Sequence, residues 1–247
     1  MTDLNSMFSA GAFSDKVADL DNGFSAAAFS DKNLQDSILA GFRMQGDWKT
    51  VADLDVCIAF GYKRKLENFP QHATATSSNM TILYQGGANN PQTRKFIYEG
   101  MTIGSLLGDD TDGDSNNEGT SPCEQAFFFG PRTTDFDIAV FFVSSQKNKD
   151  GNSVPLKMIS GTKFAIGPVD SKLDSIVNDT QGGLMTLDAL KDNCYAASLC
   201  VVYRTNDGTW KMVKRVEHLS VHDTNSTALP EVAMAVQAII SSHDFSK

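Results

Sequence analysis

The side chains best suited to chemistry in this chain are carboxylates, and many of them are crowded into residues 108–119. That segment has the sequence Gly-Asp-Asp-Thr-Asp-Gly-Asp-Ser-Asn-Asn-Glu-Gly. Carboxylates packed this densely repel one another unless water or a cation neutralises them. Calcium can do so, because it takes about 6–8 oxygen ligands from carboxylates, hydroxyls and carbonyls. The candidate ligands in this acidic segment are Asp109, Asp110, Asp112, Asp114 and Glu118.

The acidic segment has two other interpretations. One is a solvated acidic loop, which is the usual fate of a run of charge. The other is an EF-hand, but Ser115 stands where that motif needs its turn glycine, and Ser121 where it needs its bidentate Glu. The EF-hand is therefore excluded, whereas the calcium loop and the solvated loop both stay open.

A second pair of carboxylates lies at the start of a predicted strand. Residues 53–60 have the sequence Asp-Leu-Asp-Val-Cys-Ile-Ala-Phe, in which every second residue from Leu54 onward is a large apolar one. Strand alternation therefore places Asp53 and Asp55 together on the opposite face. Two carboxylates on one face are suited to metal binding, and solvent exposure is the alternative. Asp135 and Asp137 repeat the arrangement, and there we expect solvent exposure.

The N-terminal region carries a duplicated peptide. Residues 8–16, Phe-Ser-Ala-Gly-Ala-Phe-Ser-Asp-Lys, recur at residues 24–32 with one change, from Gly11 to Ala27. Each copy presents two Phe side chains on a background of small residues. One interpretation is a pair of docking peptides that bind a repeated surface on a partner, and the other is that the Phe side chains fill the protein's own core. The candidate partner-binding residues are Phe8, Phe13, Phe24 and Phe29.

From about residue 37 the pattern changes to short apolar runs separated by polar, Gly-rich or Asn-rich loops. Many short strands without intervening 10–15-residue helices predict a mainly-β protein, a two-sheet β-sandwich. Asp207-Gly208 predicts a hairpin turn, because this dipeptide readily adopts positive φ. The predicted strands are residues 37–42, 51–60, 80–84, 95–98, 124–129, 136–143, 163–166, 199–203 and 210–216.

Two helices are predicted beside the strands. Residues 184–193 form a short one, and residues 230–242 form a C-terminal one that begins with Pro and Glu, which suit a first helical turn. In the C-terminal helix Val232, Val236, Ile239 and Ile240 share one face, which we expect to pack on the sandwich. The predicted domains are an N-terminal extension over residues 1–36 and a sandwich domain over residues 37–247.

Composition limits the classes of binding partner and the cellular location that we expect for this protein. The net charge is −9, from 30 acidic and 21 basic side chains, which argues against nucleic-acid binding and against an anionic membrane surface. No apolar run approaches the roughly 20 residues that span a bilayer. The first residues lack the pattern of a secretory signal. We therefore expect a cytoplasmic protein, with a virion as the alternative, whose four cysteines are mostly buried free thiols.

Four segments, in order, resemble the TerD-type tellurium-resistance and stress-response domain. They are Ile-Leu-Ala-Gly-Phe-Arg at 38–43 before Trp48, the Asp-Leu-Asp of 53–55, the Gly-Asp-Asp of 108–110, and the hairpin with Tyr-Arg at 203–204 and Gly-Thr-Trp-Lys at 208–211. The resemblance covers residues 37 to 220. This chain departs from the family pattern in its long linker over residues 62–80, its rearranged acidic segment and its repeat-bearing N-terminal region.

The resemblance implies a β-sandwich that binds calcium through the Asp-Leu-Asp strand and the acidic loop. It makes Asp53 and Asp55 candidate ligands together with the carboxylates of the acidic segment. Members of the family are linked to tellurite and stress responses, some to phage resistance, and no catalytic reaction is established for the domain. The chain also lacks a Gly-x-Ser-x-Gly elbow, a Walker A loop and a His-Glu-x-x-His motif.

Two functional hypotheses follow. The first is a non-enzymatic, calcium-dependent interaction module, whose partner is a protein and which could also self-associate. The second is a structural protein of a phage virion or another large assembly, which would use the same sandwich as a scaffold and the Phe repeats for attachment. The fold does not choose between them, because sandwiches serve many unrelated functions.

Overall fold

The computed structural model describes residues 27–29, 39–48, 52–61, 81–84, 94–107, 124–146, 153–159, 162–169, 183–185, 187, 190, 192–205, 207–219, 234–235 and 239. Side chains are described for these residues except 27–29, 47 and 183–185.

Within the described residues the chain forms short strands joined by loops. They are β1 (Ala27–Phe29), β2 (Gly41–Asp47), β3 (Leu54–Gly61), β4 (Thr81–Leu83), β5 (Lys95–Tyr98), β6 (Met101–Leu107), β7 (Glu124–Phe128), β8 (Ile138–Ser145), β9 (Lys163–Val169), β10 (Gly183–Met185), β11 (Ala196–Arg204) and β12 (Trp210–Leu219). Two short 3₁₀ turns, Gly130–Arg132 and Leu156–Met158, precede β8 and β9.

The strands form two antiparallel sheets. The first sheet has the order β1-β12-β11-β8-β3-β4, and the second has the order β10-β9-β2-β7-β6-β5. Rings from the two sheets meet between them: Phe42 of β2 and Trp210 of β12 lie 5.6 Å apart, centroid to centroid. The predicted mainly-β, two-sheet architecture is thus confirmed.

Strand β3 shows how the sequence pattern builds this core. Leu54 and Val56 belong to the apolar cluster between the sheets, whereas Cys57 and Ala59 belong to a second cluster on the outer face of the first sheet. The alternation predicted for residues 54–60 is therefore correct. Ile239 packs in that second cluster. Every residue of β3 and β8 is buried, as is every residue of β11 except Arg204.

Aromatic rings fill one part of the interior. The ring of Phe60 lies 5.5 Å from Phe96, 5.7 Å from Phe128 and 5.6 Å from Phe136, measured between centroids. These are the tilted and edge-to-face distances at which aromatic pairs attract beyond their burial alone. These contacts join β3, β5, β7 and the segment before β8.

Each of the nine predicted strand segments contains a strand, with ends that shift by a few residues. The first of them starts later than expected, at Gly41, and extends to Asp47. Strands β1, β6 and β10 were not predicted. The predicted Asp207-Gly208 turn is confirmed: Gly208 has φ +88°, and the N–H of Thr205 donates to Thr209 O at 2.7 Å. A second tight turn joins β5 to β6 at Glu99 and Gly100, both of which have positive φ.

The predicted helices are not confirmed. Leu184 and Met185 lie in β10, which pairs with β9, so the short helix is wrong at its start. Most of the predicted C-terminal helix lies outside the described residues. Met234, Ala235 and Ile239 do have helical backbone, and Ile239 is buried as expected for the core-facing side.

Three further points concern the sequence predictions. Cys57, Cys194 and Cys200 are free and buried, as predicted, and Cys123 lies outside the described residues. In the described part of the chain, no helix is long and apolar enough to cross a membrane. The proposed domain boundary after residue 36 stays a prediction, although β1, from within the predicted N-terminal extension, pairs with β12.

Candidate functional site

The Asp-Leu-Asp segment is held in place by a buried indole. Trp48 follows β2 and is fully buried, and its Nε1–H donates to the carbonyl of Ala52 at 3.0 Å. This bond closes the connection between β2 and β3, and it fixes the backbone one residue before Asp53. The carbonyl of Asp53 in turn accepts from the N–H of Gln146 at 2.8 Å, so the start of β3 is also tied to the end of β8.

Asp55 is a buried carboxylate. Its side chain is 2 % exposed, which rules out the solvated surface position that was the alternative for this residue, whereas Asp53 is half-buried. Burying a carboxylate is unfavourable unless hydrogen bonds or a cation compensate it. Asp55 therefore differs from an ordinary surface Asp in having lost most of its hydration.

The end of β8 beside Asp55 carries oxygen-bearing side chains. Ser144 is paired directly with Asp55 across the two strands, so both side chains emerge on the same face of the sheet. Ser144 is fully buried, and its Oγ accepts from Gln146 Nε2 at 3.4 Å. Next to it, Ser145 Oγ accepts from the N–H of Val154 at 3.2 Å. This end of the sandwich thus gathers carboxylate, hydroxyl and amide oxygens.

Glu124 is a buried carboxylate that the sequence analysis did not identify as a site residue. Its Oε2 accepts a 2.6 Å hydrogen bond from the N–H of Val56, the residue after Asp55. Glu124 opens β7, and the alternation of that strand places it on the inward face with Ala126 and Phe128. A charged residue at an inward-facing strand position was the signal in the sequence that pointed to a buried role.

The acidic segment is anchored at this same end. It follows β6, which ends at Leu107, and it precedes β7, which begins at Glu124; Leu107 and Gln125 are paired across the two strands. Both ends of residues 108–123 are therefore held together at the level of the Glu124 carboxylate. The predicted ligands Asp109, Asp110, Asp112, Asp114 and Glu118 themselves lie outside the described residues, so their position stays a prediction.

We call the set of Asp53, Asp55, Glu124, Ser144 and Gln146 the acidic end of the sandwich. Its donors are hard oxygens, which suit calcium better than a nitrogen- or sulfur-seeking metal. Among the described residues alone, no group of three or more His, Cys, Asp or Glu side chains is placed to hold a metal ion. The acidic end is therefore suited to calcium only if the acidic segment contributes further ligands.

Asp135 and Asp137 lie at the opposite end of the sandwich. The N–H of Asp137 donates to the carbonyl of Gly61, at the far end of β3 from Asp55. Asp135 is half-buried and caps its own turn, since Thr133 Oγ1 donates to its Oδ2 and accepts from its N–H. This pair therefore does not join the acidic end, and both residues are half-buried, not fully exposed to solvent as expected.

An open cleft of about 530 Å³ occupies that opposite end. Arg204 crosses it, donating from Nη2 to the carbonyl of Thr133 at 2.7 Å while its guanidinium lies 4.8 Å from the centroid of the Trp210 ring. The neighbouring turn carries Asp207, whose pKa is lowered to about 2 by hydrogen bonds, first from Thr205 Oγ1 and then from the N–H of Thr209. The side chains of Arg204 and Asp207 thus make hydrogen bonds to the protein's own loops.

The structure places one part of the predicted docking peptides. Phe29 lies in β1, where its backbone is paired with Trp210 of β12, and its side chain is outside the described set. Phe8, Phe13 and Phe24 lie outside the described residues. Whether the four Phe side chains bind a partner or the protein's own core stays open.

Comparison with known proteins supports the fold. No protein-family model and no curated protein matches the chain. Among solved structures, it is similar to a protein of unknown function, SAV2460, with 12% identity over 78% of this chain and 95% of that chain and a TM-score of 0.53. It is also similar to SCO6318 from Streptomyces coelicolor A3(2), a homologue of the telluride resistance protein TerD, with 12% identity over 80% of this chain and 98% of that chain and a TM-score of 0.51. The chain therefore has a TerD-like two-sheet fold.

Proposed function

We propose that this chain is a non-enzymatic calcium-binding module that presents a surface to a protein partner. Its N-terminal Phe repeats dock on that partner. The ion would be held at the acidic end of the sandwich. The proposed ligands are Asp53 and Asp55 together with carboxylates of the acidic segment, namely Asp109, Asp110, Asp112, Asp114 and Glu118. The resemblance of four sequence segments to the TerD-type domain adds a stress-response role to this proposal.

The observation that carries the proposal is the hydrogen bond from Val56 to Glu124. It joins the end of the acidic segment to the Asp-Leu-Asp strand, although the two are separated by 68 positions in the chain. The bond places the Glu124 carboxylate beside the backbone of the Asp-Leu-Asp strand, at the position where the chain leaves the acidic segment. With the carboxylates of the acidic segment at this end as well, a bound divalent ion would remove the penalty of their mutual repulsion.

The buried position of Asp55 supports the same conclusion. A carboxylate that is 2 % exposed has lost most of its hydration, so a cation gains more from it than from a solvated one. Ser144 Oγ and the side-chain carbonyl of Gln146 are uncharged oxygens of the kind that complete a calcium shell. Ion binding would order the acidic segment and so shape the surface offered to a partner.

Calorimetric titration of the full chain with calcium chloride tests the proposal, together with melting curves in calcium and in chelator. We expect a binding isotherm and a melting temperature that rises with calcium, because an ion that binds only the native state stabilises it by about 2.7 kcal/mol at 100 times its dissociation constant. No heat of binding together with identical melting curves would exclude a calcium site.

Variants localise the site. Asp55→Asn and the double variant Asp110→Asn, Asp112→Asn should each weaken calcium binding at least ten-fold, since each removes charged ligands. Asp135→Asn is the matched control, because this half-buried aspartate lies at the opposite end of the sandwich, and it should bind calcium as the wild type does. Equal effects of Asp135→Asn and Asp55→Asn would show that only overall charge matters.

The alternative of a structural protein in a phage virion or another assembly stays a prediction of the sequence. No contact among the described residues favours it over the interaction module. The cytoplasmic location and the virion location are likewise open.

A further inference from the structure

Strand β1 is formed by one copy of the duplicated peptide. We call residues 8–16 the first nonapeptide and residues 24–32 the second nonapeptide. Ala27, Ala28 and Phe29 of the second nonapeptide pair antiparallel with Met212, Lys211 and Trp210 of β12. These three pairs make β1 the edge strand of the first sheet, beyond β12.

The first nonapeptide has the same residues at the three corresponding positions, except for one. Gly11, Ala12 and Phe13 stand where the second nonapeptide has Ala27, Ala28 and Phe29. Strand pairing is made by backbone groups, so a peptide with the same side chains and an equivalent backbone fits the same edge in the same register. One edge of β12 is paired with β11, and only the other is paired with β1. Residues 210–212 can therefore accept one nonapeptide at a time.

We propose that the outer edge of β12 is a shared acceptor, on which the first nonapeptide replaces the second within the same chain. The copy that is displaced becomes available to a partner while the other keeps the sheet edge covered. An uncovered edge strand is a template for unwanted pairing between molecules, and a second occupant removes that hazard. This inference extends the docking role proposed for the repeats, and it does not depend on calcium.

Two differences between the nonapeptides favour occupancy of the β12 edge by the second one. Gly11 in place of Ala27 makes the first nonapeptide a poorer strand by roughly two- to five-fold, because glycine loses more conformational freedom when it is ordered. The first nonapeptide is also tethered to β2 through more than twice as many residues, which lowers its effective concentration by roughly four-fold. Together these predict roughly ten-fold higher occupancy by the second nonapeptide, which agrees with its position in β1.

The same tether argument favours the chain's own nonapeptide over that of another molecule. Covalent linkage through a few tens of residues gives an effective concentration on the order of millimolar, which exceeds the concentration of most proteins in solution. Replacement within one chain should therefore dominate at micromolar protein.

Hydrogen exchange on the full-length protein tests the proposal, with the amides of Trp210 and Met212 as the readout. The N–H of Thr205 donates to Thr209 O, so by alternation along the ladder Lys211 bonds to β11, whereas Trp210 and Met212 face β1. Ala27, which is paired with Met212, is therefore a hydrogen-bonding position of β1, and Gly11 is its equivalent in the first nonapeptide. Proline cannot donate a strand hydrogen bond, so Ala27→Pro blocks the second nonapeptide and Gly11→Pro blocks the first.

We expect Gly11→Pro to exchange like the wild type and Ala27→Pro to exchange roughly ten-fold faster at Trp210 and Met212 yet remain protected. Protection of these two amides should be lost in the double variant, while the Lys211 amide is the internal control. If Ala27→Pro alone exchanges as fast as the double variant, the first nonapeptide does not replace the second.

A second variant gives a readout that does not depend on the double variant folding. In the Ala27→Pro background, Gly11→Ala gives the first nonapeptide the sequence of the native second one, and exchange at Trp210 and Met212 should slow by roughly two- to five-fold. No slowing would overturn the proposal. Sedimentation at several concentrations accompanies the exchange. Protection in Ala27→Pro that is observed only with dimers would also overturn the proposal, because the occupant would then come from another molecule.

Discussion

The carboxylate of Glu124 in the second sheet and the backbone N–H of Val56 in the first sheet are joined by a 2.6 Å hydrogen bond. Both groups are buried, so the bond is made away from bulk water. A hydrogen bond to a charged acceptor contributes about 1.5–3 kcal/mol, more than one between neutral groups. The bond fastens the start of β7 to β3, and it thereby sets where the acidic segment returns to the sandwich.

Removing this acceptor should destabilise the protein. We expect Glu124→Ala to lower the free energy of unfolding by about 1–3 kcal/mol, because the buried N–H of Val56 is left unsatisfied. Glu124→Gln keeps an acceptor oxygen at the same place and should lose less. Urea denaturation in the presence of chelator measures both, so that calcium does not contribute. Lys163→Ala, at an exposed position that opens β9, is the control and should stay near the wild type. Equal losses from the Ala and Gln variants would show that the hydrogen bond is not the cause.

The Asp207 turn should titrate at unusually low pH. Hydrogen bonds from Thr205 Oγ1 and from Thr209 hold the pKa of Asp207 at about 2, against an ordinary value of 3.8. Because the pKa is lower in the folded state, the ionised turn stabilises the hairpin above about pH 4, and this contribution is lost as the pH falls towards 2. Carboxyl chemical shifts of Asp207, followed through a pH titration by NMR, give the midpoint directly.

The cause of that shift can be isolated at Thr205. Thr205→Val removes the hydroxyl that donates to Asp207 and should raise the pKa of Asp207 towards its ordinary value. Thr205→Ser keeps a hydroxyl and should leave the midpoint low. A midpoint that stays near 2 in the Val variant would assign the shift to the backbone of the turn instead.

Glu99 is a site at which the protein can be stabilised. It has φ 49°, and Gly100 beside it has φ 79°, in the two-residue turn between Tyr98 and Met101. Positive φ at both central positions defines a type I′ turn, for which Asn-Gly is a favoured sequence. We expect Glu99→Asn to increase the free energy of unfolding by about 0.5–1 kcal/mol, because Asn adopts this conformation with less strain.

Thermal unfolding measures the effect of Glu99→Asn, with Glu99→Gln as the matched control. Both substitutions remove the charge, whereas only Asn favours the left-handed conformation. The same gain in both variants would attribute the stabilisation to charge and not to the backbone.

Arg204 should not tolerate replacement by lysine. Its guanidinium stacks on Trp210 while Nη2 donates to the carbonyl of Thr133, and a lysine ammonium cannot reproduce the planar stacking together with the directed donor. We expect Arg204→Lys to lower the free energy of unfolding by about 1–3 kcal/mol. Arg132→Lys is the control: Arg132 is exposed and packs only on the Phe129 ring among its described contacts, so its loss should be within about 0.5 kcal/mol. Urea midpoints compare the two, and equal losses would contradict a specific role for Arg204.

Much of the sheet structure was predictable from residue patterns. The alternation in residues 54–60 gave both faces of β3, and Asp207-Gly208 gave the hairpin between β11 and β12. Strand β6 was missed because Gly104 and Ser105 interrupt its apolar run. The packing explains the glycine: a Cβ at Gly104 would lie 2.7 Å from side-chain carbons of both Leu83 and Phe60. Nothing local in the sequence signals that contact.

The candidate site, too, was predictable from the sequence in part only. Residue types alone indicated an oxygen-rich cation site in the acidic segment and at Asp53 and Asp55. Glu124 was overlooked because it was assigned only as the first residue of a strand. Its role depends on a contact with β3 on the other sheet, and no local pattern encodes a contact between such distant segments.

The sequence by itself determined the strand-rich character of this protein, the alternation that buries one face of each strand, and the concentration of carboxylates, because these follow from side chains and their local spacing. Only the tertiary structure decided that Glu124 contacts the backbone of Val56, that Asp55 is buried, and that part of a repeated peptide pairs at a sheet edge. Those features depend on which distant strands become neighbours, and that is settled by packing of the whole core.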